Sequence, residues 1–139
     1  MGNMTFNPMA FIDNLKYIRM AREAELNNIE DDTERELALT EFKYKNEIED
    51  LGIYAAQQMA IINVINDLER QRDEATTLEK RNQLTEQMND LKRQWNATEE
   101  GVRAVNDEIV AKAQELTTRL EEIREERLRK EIAAYENIL

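Results

Sequence analysis

The stretch LTEQMNDLKRQWNATEEGVRAVNDEI, residues 84–109, decides the fold. Leu84, Met88, Leu91, Trp95, Thr98, Val102, Val105 and Ile109 follow one another in alternating steps of four and three. That spacing places them along one side of an α-helix and repeats every seven residues, the pattern of a coiled-coil seam. Trp95 is large for a tight two-stranded seam, so it either fills space in a looser bundle or anchors a partner. Thr98 is mildly polar, and such a seam residue either sets register or marks an opening beside Asn96 and Gly101.

Towards the C-terminus the pattern continues through Ala113, Leu116, Leu120 and Ile123. Two successive steps of four, from Val105 to Ile109 to Ala113, form a stutter that locally relaxes left-handed supercoiling. The seam weakens at Arg127 and resumes as Leu128, Ile132, Tyr135 and Leu139. Glu99–Arg103, Glu108–Lys112, Glu115–Arg119, Glu125–Arg129 and Glu126–Lys130 each place an acid four residues before a base. Every such pair adds roughly 0.2–0.5 kcal/mol to an exposed helix. A helix from Leu78 to Leu139 is the resulting expectation, with a second hinge near Asn96 as the alternative, because Asn96 to Glu99 has capping-box spacing.

Towards the N-terminus, polarity rises over residues 67–80, and residues 73–77 are the best place for a chain reversal, with a straight helix running through as the alternative. Thr76 and Glu79 have capping-box spacing there. Before it, residues 51–66 carry no charge. Ile53, Met59, Ile62 and Ile65 belong to an apolar face wider than a narrow seam, which predicts contact with more than one helix. Sixteen residues containing Gln57, Gln58, Asn63 and Asn66 are too short and too polar for a bilayer span, which takes about 20 apolar residues. Gly52 reads either as a tolerated helical glycine or as a point of close backbone approach.

The first helix is expected from Pro8, with Asn7 as its cap and Phe11, Leu15 and Ile18 on one stripe. Asn and Asp residues between positions 27 and 32 predict a break or kink, with one unbroken helix carrying a polar face there as the alternative, and Thr33 to Glu36 reads as the next capping box. The expected fold is therefore all-α: an elongated helical hairpin or bundle with a long C-terminal coiled-coil helix. Residues 1–139 form one elongated helical domain, with helices over 8–30, 33–72 and 78–139.

Composition narrows the chemistry. The 139 residues include no Cys, no His and no Ser, and the three glycines are scattered at positions 2, 52 and 101. This removes disulfides, thiolate and serine nucleophiles, Cys/His zinc sites and a Gly-rich phosphate loop. The reading is not an enzyme, with no cofactor and no metal. The formal net charge of −11 repels phosphate backbones and anionic membranes, and the basic residues are dispersed among acids. No nucleic-acid partner and no membrane insertion are expected. The opening residues show neither the basic segment nor the apolar segment of a cleavable signal peptide. That leaves the location open, cytoplasmic or exported or packaged without such a signal.

In composition and helical architecture, though in no motif, the chain resembles secreted helical filament subunits of bacterial export systems. Phage scaffolding and internal virion proteins share that character. The resemblance implies an assembly component and carries over no functional residue. The expected function is a self-associating structural subunit with itself as partner. The alternative is an acidic helical adaptor or chaperone that binds a partner helix. The candidate interface residues are Ile53, Met59, Ile62, Ile65, Leu84, Met88, Leu91, Trp95, Val102, Val105, Ile109, Leu116, Leu120, Ile123 and Leu139.

Overall fold

The computed structural model describes residues 8–138, and side chains over residues 13–138. The expected Asn7 cap, the Phe11 side chain and Leu139 lie outside the described residues. Four helices follow in order: α1 (Pro8–Asn27), α2 (Asp32–Glu74), α3 (Leu78–Trp95) and α4 (Glu99–Ile138). No strand occurs among the described residues, so the fold is all-α.

Each interruption has a local cause. Asp31 caps α2: its Oδ1 accepts the Glu34 backbone N–H at 2.8 Å, and its carbonyl accepts that of Arg35 at 2.9 Å. The sequence pattern pointed to Thr33, two residues later. Asp31 takes the position because its carboxylate satisfies an orphan N–H and puts Asp32 and Glu34 at the positive end of the helix dipole. Arg35 also donates to the Ile29 carbonyl at 3.0 Å, tying the helix back to the turn before it.

The reversal falls at residues 75–77, as the polarity predicts, and Thr77 is the cap where the spacing favoured Thr76. Thr77 is extended, and its hydroxyl accepts from the Lys80 N–H at 3.2 Å. Arg81 reinforces the turn by donating its Nε–H to the Ala75 carbonyl at 2.9 Å. The third break is the hinge at Asn96. Asn96 has left-handed φ and ψ of 44° and 41° and donates its N–H to Lys92, a conformation Asn tolerates better than most residues. Two residues on, the Thr98 hydroxyl accepts the Gly101 N–H at 3.0 Å and starts α4.

The chain divides into two compact units, and α2 and α4 contribute to both. One comprises Met1–Tyr44 and Leu116–Leu139, the other Lys45–Glu115. In the second unit, α3 and the start of α4 return along α2. Ala55 and Ile62 on α2 form a buried cluster with Val102, flanked by Ala97 and Val105. Lys112 closes the pairing with a 3.1 Å ion pair to Glu47, which raises the lysine pKa above its ordinary value. Leu84 and Met88 bury the inward face of α3.

In the first unit, α4 again runs antiparallel to α2. Arg119 meets Glu36 at 3.5 Å, and eight residues later Arg127 meets Asp31 at 3.5 Å. Leu26 and Ile123 are buried here. Residues 37–42 are all at least partly covered.

Two predictions arise here. A Cβ built on Gly52 meets nothing within 4 Å, whereas one on Gly101 lies 3.0 Å from Thr98 Oγ1. The close-approach reading of Gly52 is therefore dropped. Gly52→Ala is expected to stabilise the fold by about 0.5–1 kcal/mol, because alanine is the better helix former. At Gly101 the same gain is offset by disturbance of the Thr98 cap, so Gly101→Ala should be close to neutral. Urea midpoints test this, and equal gains at both sites would refute it.

The second concerns acid. The Glu34 backbone N–H, aided by the Arg127 charge, holds the Asp31 carboxyl below the ordinary aspartate value. A depressed folded pKa stabilises the native state above the unfolded pKa, and that contribution is lost as pH falls through the folded value. Asparagine also caps helices well, so Asp31→Asn isolates the charge. Wild type should melt higher than Asp31→Asn at pH 7, and the difference should shrink as pH falls through the lowered pKa of Asp31. A difference constant with pH would rule out the carboxylate as its source.

Candidate interaction surface

Most of the predicted interface residues are placed inside the chain. In the second unit, Ile62, Ile65, Leu84, Met88 and Val102 are buried, while Ile53, Leu91, Val105 and Ile109 are half-buried. Met59 is at the margin of exposure, and Trp95 is 46% exposed. In the first unit, Ile123 is buried and Leu116 and Leu120 are half-buried. The wide apolar segment of α2 is split by this packing. Ala55, Gln58, Ile62 and Ile65 turn inward, and Tyr54, Met59 and Val64 remain in solvent.

Trp95 leaves the seam because α3 ends on it. Its successor Asn96 turns left-handed and α4 restarts at Glu99. Thr98, spaced as a seam residue, spends its hydroxyl on the cap instead. A surface pocket of about 370 Å³ lies at this hinge, within the second unit. Ile62, Ile65 and Ala97 give it apolar lining, and Asn66, Lys92, Asn96, Thr98 and Glu99 give it polar lining. Its volume is at the small end of the range for ligand pockets. The lining holds no thiol or imidazole, and its only hydroxyl is Thr98.

Among the described residues, no group of three or more carboxylates is placed to hold a metal ion. Also among them, no helix is long and apolar enough to cross a membrane. The long charge-free run of α2 fails as a span for the reason its sequence indicates: amide side chains interrupt it.

The most distinctive surface belongs to the first unit. Among the described residues, Arg127 makes the last ion pair from α4 towards α2, at Asp31, the residue that caps α2. Beyond it, every residue over 128–138 is exposed. These eleven residues extend α4 by about 16 Å at 1.5 Å per residue. They are not polar all round. Leu128, Ile132 and Tyr135 keep the four-then-three spacing and are 55%, 48% and 67% exposed. The seam therefore continues past the place where the neighbouring helix begins. The sequence pattern contained this stripe, but only its exposure, together with the start of α2 at Asp32, shows that no described residue of the unit covers it. Tyr17, Ile18 and Met20 on α1 are also exposed, a second apolar patch of which the periodicity singled out only Ile18, as a member of the α1 stripe. No protein family matches the chain, and no curated protein or solved structure is similar to it.

Proposed function

We propose that this chain is a self-associating helical structural protein, a subunit of a larger assembly. The observation that carries the reading is the uncovered stripe of Leu128, Ile132 and Tyr135 on the final three turns of α4. A helix segment of this length is marginal in water without packing. Exposed apolar positions at regular seam spacing are the surface a second helix covers. The interior seam residues stabilise the subunit, and the stripe is what remains for contact between copies. Abundant carboxylates keep the free subunit soluble.

Light-scattering mass after size-exclusion chromatography, taken across protein concentrations, tests this. The mass is expected to rise above the 16.4 kDa of one chain. A plateau indicates a closed oligomer, and growth without a plateau indicates a repeating contact. A monomer at every concentration would overturn the proposal.

The hinge pocket favours a second reading, an acidic helical adaptor or chaperone that receives an apolar side chain of a partner helix. Ile62, Ile65 and Ala97 would hold that side chain, with exposed Trp95 next in sequence to the lining residue Asn96. A stable monomer whose Trp95 fluorescence shifts on adding a partner helix would favour this reading over self-assembly.

A further inference from the structure

We infer that the exposed end of α4 pairs with the same segment of a second copy in antiparallel orientation, an inference that rests on the self-association proposed above. The argument is the charge on either flank of the stripe. Arg129 follows Leu128 and Glu136 follows Tyr135, so both lie on one flank, two turns apart. Arg124 and Glu131 lie on the other flank. Among the described residues neither Arg129 nor Glu136 makes an ion pair within the chain, whereas Arg127 is paired with Glu131 and Lys130 with Glu126. The two unpaired charges thus border the uncovered apolar positions.

The two orientations use these charges differently. In a parallel pair, each flank meets the opposite flank of its partner five residues further on. Arg124 would then face Arg129, and Glu131 would face Glu136, with each clash occurring twice by symmetry. In an antiparallel pair with Ile132 opposite Tyr135, like flanks meet. Arg129 then lies against Glu136 of the other copy, again twice. Opposite charges attract in the second arrangement and like charges repel in the first, so the antiparallel one is preferred. Such a contact is isologous and closes on itself. Alone it yields a dimer, and any longer assembly needs a second surface.

The test is charge reversal followed by sedimentation equilibrium at low salt, where exposed charges are least screened. Antiparallel pairing predicts that Glu136→Arg weakens dimerisation about three- to tenfold, since two attractive contacts become repulsive. Arg129→Glu should do the same, and the double exchange should restore affinity to within about twofold. Glu136→Arg also reduces the net negative charge, so relief of generic repulsion would shift affinity the opposite way. Both positions are exposed, and circular dichroism verifies that helicity is unchanged. Parallel pairing predicts that each single reversal strengthens the dimer, and that result would overturn the inference. Single reversals without effect, on a wild type that does associate, would overturn it too and leave self-association standing through another surface. A wild type that is always monomeric would overturn both.

Discussion

Ile62→Asp is expected to remove a large share of the stability of the unit that contains it. Ile62 is 6% exposed and packs in a cluster with Ala55 and Val102. The substitution removes the apolar side chain and places a carboxyl among apolar groups with no partner in the cluster. Burying such a group takes it from water or forces it to bind a proton, at a combined cost of about 3–5 kcal/mol. Domains of this size have total stabilities of about 5–15 kcal/mol. The helical signal should therefore be lost at much lower urea. Asn63→Asp, one residue on and exposed, should shift stability by less than about 0.5 kcal/mol. Comparable urea midpoints for the two variants would mean that residue 62 is not in a core.

The second large effect separates two isoleucines on the same helix. Ile123 is 2% exposed and Ile132 is 48% exposed, nine residues further along α4. Ile123→Ala deletes buried methyl and methylene groups and leaves a cavity, at a cost of about 2–4 kcal/mol. Ile132→Ala leaves no cavity in the subunit, and alanine is a better helix former than isoleucine. At dilutions where the protein is monomeric, its urea midpoint should stay within about 0.5 kcal/mol of wild type. Association responds in the other order. Ile132→Ala should weaken the concentration dependence of the mass, while Ile123→Ala acts on it only through unfolding. If Ile132→Ala lowers monomer stability as much as Ile123→Ala does, the end of α4 is packed within the subunit, and the proposed interaction surface is lost.

Helix content was legible because it is local. Alternating steps of four and three mark α3 and α4, and Pro8 marks the first residue of α1. Boundaries were legible to within a few residues. Asp31 and Thr77 won over Thr33 and Thr76 as caps, since adjacent Asp and Thr residues offer nearly equivalent oxygens and the choice turns on about 1 kcal/mol. The hinge at Asn96 was written in the sequence only as an option. Leu91, Trp95, Thr98 and Val102 satisfy the seam spacing whether or not the helix breaks. The packing of Val102 against Ala55 and Ile62, with the Thr98 cap, accompanies the broken form. The candidate surface was legible as apolar positions and not as a surface.

The sequence by itself determined the all-α fold, the positions of the apolar stripes and the absence of Cys, His and Ser side chains. Periodicity, caps and residue inventory act over a few residues and need no knowledge of neighbours. Tertiary structure decided which stripes are covered. Ile123 and Ile132 are the same residue type in the same kind of helix. One is buried, and the other lies beyond the point where Arg127 meets the cap of α2. Burial is a property of a pair of elements, set by where the second one starts, and that information is not carried by the stripe itself.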